Sequence, residues 1–395
     1  MYNIRVLKTS VGVGTLRVGP RGRRYVQEAL LANRLSYGPF TRRFEALFAR
    51  LHGCRHAAFC NSGTSALHVA LQALKEKYRW KDGDEVLVPA VSFVATANVV
   101  LHNRLSPVFV DVRQDTYNVN PELIERKITR RTRAVIPVHL MGLPAEMPAI
   151  LAIARRRGLK VIEDSCEAMF VKSGGRPVGS MGDVGCFSTY AAHYVTTGVG
   201  GLATTQDADL DARLRSLINH GRDPIYLSMD DSKRGAGREK VVDRRFRFLS
   251  AGHSFRATEM EAALGLAQLE DWRSILAARR AVAQDYLRGL ADLDGELQLP
   301  RVPPGQEHAF MLFPLAVRRA KKRALVHFLE RRGVETRDLM PLINQPVYRR
   351  MFGNLDKKYP AARWINERGF YVGCHQDISP AQRRHVVETI RRFFR

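Results

Sequence analysis

From Ser173 to Ser232 the chain has no lysine, although lysine and arginine make up 63 of its 395 residues. That gap removes any lysine amine from the span as a nucleophile or base. Acidic residues are also scarce, 39 against those 63, which leaves a formal net charge of +24. No apolar run approaches the roughly 18 residues of a membrane-spanning helix, so no membrane partner is expected. The opening stretch MYNIRVLKTSVGVG shows neither the apolar core nor the small-residue cleavage site of a secretion signal, and a cytoplasmic setting is expected. The five cysteines, Cys54, Cys60, Cys166, Cys186 and Cys374, contain no CxxC pair. This spacing excludes a disulfide framework and a zinc ribbon, and reads as reduced thiols.

The basic excess comes in short groups such as Arg155-Arg156-Arg157, Arg244-Arg245 and Arg391-Arg392, with no separate basic tail. It reads as a solvated arginine-rich surface, with binding of some anion as the other reading. Nucleic acid is disfavoured because no recognition motif accompanies the charge.

Between about residues 50 and 220, short apolar runs alternate with helical patterns. The runs are EVLVPA (85–90), PVFVDV (107–112), AVIPVH (134–139), KVIED (160–164), VGCFST (184–189) and GGLATT (200–205). Between them, segments such as SGTSALHVALQALKEKY and MPAILAIARRRG repeat apolar residues at steps of three and four. This alternation predicts an α/β fold with a large, mostly parallel sheet covered on both faces. A long amphipathic pattern from Thr258 to Leu290 leads into mixed short elements. The expected division is a large domain over 1–275 and a smaller α+β domain over 276–395, with the N-terminal segment packing on the latter. Residues 222–250, polar and basic, read as a mobile surface excursion.

Four stretches could carry chemistry. In CNSGTSALHVALQAL (60–74) a small-residue turn opens a helix. Gly63 permits close backbone approach there, and Thr64 and Ser65 set hydroxyls beside free amides, an arrangement suited to phosphate. A helix capped by Ser62 or Thr64 is the plainer reading. In VIEDSCEAM (161–169) Asp164 ends an apolar strand, where ligands of open α/β sheets bind. It could face a cationic ring nitrogen or merely cap a helix, and Glu167 follows it. In SFVATAN (92–98) Phe93 could stack on a flat ring or belong to the core. In CFSTYAAHYVTTGVGGLATT (186–205) Ser188 and the Thr196–Gly201 turn supply hydroxyls and flexible backbone around His193, which could be a base or a satisfied structural histidine.

The order and spacing of these stretches resemble the DegT/StrS family of pyridoxal-phosphate enzymes. The similarity runs from LSYGPFTRRFEALFARLHG through NSGTSAL, PVFVDV, VIEDSCEAM and TTGVGG to HSFRATEMEAALGLAQLE. It implies the fold of type I pyridoxal-phosphate transferases, with Gly63, Thr64 and Ser188 on the cofactor phosphate and Phe93 over the pyridine ring. It also implies Asp164 on the protonated ring nitrogen, and Glu167 near the ring oxygen in a place usually held by Gln or His. Ser254 stands where an asparagine usually reaches the neighbouring subunit's cofactor, and His220 matches a histidine near the substrate. A homodimer is therefore expected.

One departure changes the expected chemistry. His193 occupies the position of the lysine that bonds covalently to the cofactor and moves its proton. A histidine cannot form that bond but can act as a general base. The resemblance then implies pyridoxamine phosphate held noncovalently, with glutamate as amino donor and a nucleotide sugar as substrate. Two branches of the family share the replacement, both of them 3-dehydratases of 4-keto-6-deoxy sugars, one GDP-linked and one CDP-linked. The CDP-linked branch holds an iron–sulfur cluster through cysteines. Here the matching stretch Gly221-Arg222-Asp223-Pro224-Ile225-Tyr226 has none, so no cluster is expected. Val199 replaces a usual glutamate and Ile343 a common histidine. The leading expectation is 3-dehydration with His193 as base. The alternatives are an aminotransferase-like enzyme with atypical chemistry, or an inactive cofactor-binding homologue.

Overall fold

The computed structural model describes residues 10–224 and 236–395. Its largest element is a seven-stranded sheet in the order β1-β9-β8-β5-β4-β2-β3. The strands are β1 (His56–Cys60), β2 (Glu85–Pro89), β3 (Ser106–Val110), β4 (Thr132–Val135), β5 (Lys160–Asp164), β8 (Val184–Ser188) and β9 (Gly201–Thr205), with a short hairpin of β6 (Lys172–Ser173) and β7 (Arg176–Pro177) between β5 and β8. All neighbouring pairs are parallel except those made by β9, which runs antiparallel to β1 and to β8. Strands β2, β5, β8 and β9 are buried along almost their whole length, as an apolar sheet covered on both faces requires.

Proline sets two of the boundaries. AVIPVH ends as a strand at Val135, since Pro137 has no amide to give the ladder and instead accepts from the Asp164 amide. Pro107 is tolerated within β3 because β3 is an edge strand. The 258–290 pattern, read as one long helix, is two: Glu259–Leu269 and Trp272–Leu290. The break coincides with Glu270 and Asp271, whose carboxylates turn outward to Arg21. The first helix is buried over most of its surface, while the second is amphipathic. Of the excursion expected over 222–250, residues 225–235 lie outside the described residues. The part that follows contains the helix Ala236–Arg244, tied down by an ion pair from Arg244 to the buried Asp223 at 2.7 Å.

A second sheet, in the order β10-β11-β13-β12, joins β10 (Leu297–Gln298), β11 (Leu312–Val317), β12 (Thr336–Asp338) and β13 (Gly369–Gly373), all antiparallel. It has its own core, including Tyr286, Phe313, Leu315, Phe370 and Ile390. Val11 belongs to that core too, and pairs by backbone hydrogen bonds with Gly333 and Glu335. Among the described residues no helix is long and apolar enough to cross a membrane.

Several histidines are buried as neutral rings. Burial pushes His52 down to about 4 and His308 to about 3. An unfolded chain binds protons at these sites near pH 6.5, so stability should be full above that pH and fall as the solution is acidified toward 4. Urea unfolding near pH 7.5, 5.5 and 4.5 should show this decline; an unchanged midpoint across the series contradicts neutral burial.

Candidate active site

The parallel strands β1, β2, β5 and β8 all end at one edge of the sheet, and the residues just beyond them line a cavity of about 390 Å3. This is where an open α/β sheet binds ligands, because the loops diverge there. Gly63, Thr64, Phe93, Asp164, Glu167, Ser188 and His193 all lie on its wall. Residues spread over 130 positions of sequence, from Gly63 to His193, are thus brought together by strand order.

Gly63 makes the convergence possible. A Cβ at that position would lie 2.8 Å from both Cys166 Sγ and Ser188 Cβ. Only glycine lets the start of the helix Gly63–Lys77 sit against the ends of β5 and β8. Ser62 caps that helix, accepting from the Ser65 amide at 3.0 Å, which leaves the exposed Thr64 hydroxyl on the cavity wall. A helix start beside two hydroxyls, Thr64 and Ser188, suits a phosphate dianion.

Asp164 is buried, and its carboxylate accepts from Thr96 Oγ1 at 2.8 Å and from the Cys166 amide at 3.2 Å. No cation pairs with it among the described residues, and burial holds its carboxyl above the ordinary range. Glu167, anchored by the Met141 amide at 2.8 Å, is pushed up to about 7 by burial. A carboxyl with that value can donate as well as accept near neutrality, as the Gln or His expected there would. Phe93 exposes 58% of its surface at the cavity. An apolar ring, an unpaired buried carboxylate and a phosphate cradle on one wall match a phosphorylated pyridinium in all three of its chemical parts.

His193 sits on the turn after β8. Its Nδ1 lies 3.3 Å from the Tyr190 carbonyl, which can only accept, so Nδ1 carries the proton and Nε2 is the free base. Burial lowers its pKa to about 4, and the nearby Arg279 cation adds to this, so the ring is neutral at physiological pH. Among the described residues, no lysine lines the cavity. Thr196 and Thr197, expected to offer hydroxyls around the ring, are buried: Thr196 bonds Gln268 at 2.8 Å and Thr197 bonds Thr189 at 2.6 Å. These hydroxyls hold the turn together. Arg279, fully buried, grips the turn by donating to the His193 carbonyl at 2.9 Å while bonding the Met311 and Cys374 carbonyls.

Two expected residues lie elsewhere. His220 and Ser254 are exposed, and both meet Arg256, at 3.2 Å each. One chain does not bring them to its own cavity. Ile343 is fully buried in the core and does not line the cavity, whereas Val199 does, half exposed. Sequence reading missed Tyr190, Met340, Tyr371 and Arg279. Only Arg279 left a signal: it falls on the apolar stripe Leu276, Val282, Tyr286, Leu290 of its helix, where a cation needs a reason.

Residues 18–391 match the DegT/DnrJ/EryC1/StrS aminotransferase family. The chain belongs to that family. It is 36% identical over 385 residues to the GDP-perosamine synthase of Caulobacter vibrioides, which spans 96% of this chain and 97% of the synthase. With the dTDP-4-dehydro-2,6-dideoxy-D-glucose 3-dehydratase of Saccharopolyspora spinosa it shares 33% over 382 residues, 93% of this chain and 82% of the dehydratase. The solved structure of E. coli GDP-4-keto-6-deoxy-D-mannose-3-dehydratase with bound hydrated PLP superposes with a TM-score of 0.87 at 24% identity, over 97% of this chain and 99% of that one. That last likeness concerns the fold, which is the type I fold of pyridoxal-phosphate transferases. The chain is accordingly a pyridoxal-phosphate-dependent enzyme of the family that aminates or dehydrates nucleotide sugars.

Asp164→Asn should leave the cofactor-free protein within about 1 kcal/mol of its original stability, because it removes a buried charge and Ser92 lets Thr96 reverse its hydrogen bond. It should weaken pyridoxal phosphate binding at least tenfold in equilibrium dialysis. Gly63→Ala should cost about 1–3 kcal/mol by overpacking and weaken the same binding. Unimpaired binding in both variants would place the cofactor elsewhere.

Proposed function

We propose that the chain is a 3-dehydratase of a nucleotide-linked 4-keto-6-deoxy sugar, working with noncovalently held pyridoxamine phosphate and with His193 as base. The observation that carries this reading is the pairing of a neutral His193 with a cavity wall that, among the described residues, has no lysine. An imidazole cannot hold the cofactor covalently, so retention depends on Asp164, Phe93, Ser188 and the helix start at Gly63.

When bound, the cofactor supplies an electron sink that acidifies carbon–hydrogen bonds next to its nitrogen. Asp164 would face the ring nitrogen and favour its protonated form, preserving that sink. Glu167, pushed up to about 7 by burial, would be able to donate to the ring oxygen. His193 Nε2 takes a proton; an imidazole with a pKa near 4 holds it weakly and is suited to returning it to the departing hydroxyl as water forms. Overall, glutamate is oxidised to 2-oxoglutarate and ammonia, and carbon 3 of the sugar is reduced from CHOH to CH2; the water lost in the elimination is balanced by the water consumed in freeing 2-oxoglutarate and ammonia. Without a lysine to hand the proton onward, elimination can outrun completion of amino transfer. The working unit of this reading is a homodimer, in which the exposed cluster that Arg256 forms with His220 and Ser254 would face the partner's cavity.

Incubated with glutamate and GDP-4-keto-6-deoxymannose, the protein should release ammonia and a 3-deoxy sugar. An amino sugar instead establishes transamination, and silence on every keto sugar tried establishes an inactive homologue. Borohydride reduction in the presence of pyridoxal phosphate should leave no lysine adduct in cavity peptides of the natural protein. His193→Lys should acquire an adduct at position 193 and lose dehydration by a hundredfold or more, the scale of removing a general base.

A further inference from the structure

The parallel strands carry a second hollow, at their other edge. β5 runs from Lys160 to Asp164: Asp164 lines the cofactor cavity, and Lys160 lines a separate hollow of about 490 Å3 where the strands begin. At roughly 3.3 Å per residue, the two sites are about 13 Å apart along that strand.

Six cations line this hollow: Arg79, Lys81, Arg130, Arg133, Arg157 and Lys160. Among the described residues Asp84 is the sole carboxylate on its wall, and Arg133 Nε already holds it at 2.8 Å. Glu125 and Asp183 pair with Arg157 and Lys160 from outside, at 3.2 Å and 3.1 Å. Arg79, Lys81 and Arg130 are exposed, and their charged ends form no ion pair within 4.0 Å among the described residues; Asp84 meets the backbone amide of Lys81, at 3.0 Å. Converging like charges weaken a fold, so folding does not account for them.

The backbone gives a second, independent sign. Arg79 stands just past the helix Gly63–Lys77 with φ at 55°. This is the left-handed position that glycine normally fills, and a side chain there costs about 1–2 kcal/mol. The strain puts a guanidinium on the wall of the hollow. Beside it the Tyr78 and Trp80 rings stack at 22°, their centroids 6.4 Å apart, and Lys160 Nζ lies 4.4 Å from the Tyr78 centroid. The space is that of a site for a nucleotide-sized molecule; a polymer backbone would call for an extended stripe.

We propose that this hollow is an anion site for a small oligophosphate, a chain of two or three phosphates either free or carried on a nucleoside, distinct from the cofactor cavity. Calorimetry on the protein preloaded with pyridoxal phosphate, in 150 mM NaCl, tests it with inorganic tripolyphosphate, ATP and adenosine. Tripolyphosphate and ATP should bind and adenosine should not. Equal affinities assign a free phosphate chain, and tighter ATP assigns a nucleotide. The double variant Arg79→Gly with Arg130→Ser should bind both at least tenfold more weakly, with melting no lower than before, since glycine relieves the strained backbone. Tryptophan fluorescence should respond to tripolyphosphate and lose that response in Trp80→Phe. Failure of tripolyphosphate to bind, or equal binding by the double variant, overturns the proposal. Neither outcome bears on the dehydratase reading, whose residues lie at the other end of the strands.

Discussion

The buried guanidinium of Arg279 ties the two halves of the site together. Among the described residues it has no carboxylate partner; Nη1 and Nη2 donate to three carbonyls, two near the small sheet at Met311 and Cys374 and one on the turn at His193, while Nε makes no hydrogen bond. Removing such a cation from water costs several kcal/mol, roughly, even after relaxation. The Tyr194 ring at 4.8 Å and the three acceptors offset part of that cost. In return the turn after β8 is held to the small sheet, and His193 lies under a fixed positive charge that opposes its protonation. A neutral residue in place of Arg279 would leave three buried carbonyls unpaired and the turn free of the small sheet.

The titratable groups of the cavity share one tendency: Asp164, Glu167 and His193 are all pushed toward their neutral forms. Burial is the first cause in each case. A cavity arranged in this way has an unmet demand for charge that a phosphorylated, cationic ring would meet, with its nitrogen on Asp164 and its phosphate at the helix start. The neutrality of His193 follows from the same burial. It makes the residue a ready acceptor of protons and a poor place to store them.

Charge is sorted along the strands. The edge where the strands end is lined mostly by apolar and uncharged groups with the two carboxyls Asp164 and Glu167, whereas the edge where they begin is crowded with arginine and lysine. The basic composition is thus not spread evenly over the surface: part of it converges in one hollow, beyond the short basic groups visible in the chain.

The alternation of apolar runs and helical patterns was enough to read the α/β class and most strand positions, and the family followed from the resemblance of the motifs. Those features are local, since strand and helix periodicities and the small-residue turns lie within a few consecutive residues. The candidate chemistry was equally legible, because Asp164, Ser188 and His193 follow one another at short intervals on adjoining strand ends. Strand ends at proline and the division of the 258–290 pattern at Glu270–Asp271 depended on ladder and surface partners far along the chain. His220 and Ser254 could be aligned by position, but one chain leaves them on its exterior. The sequence by itself determined which residues are present, including His193 in a stretch without lysine. Only the tertiary structure decided their ionisation and grip, because burial beside Arg279, the close approach at Gly63 and the gathering of Arg79 with Arg130 arise from contacts between residues distant in sequence.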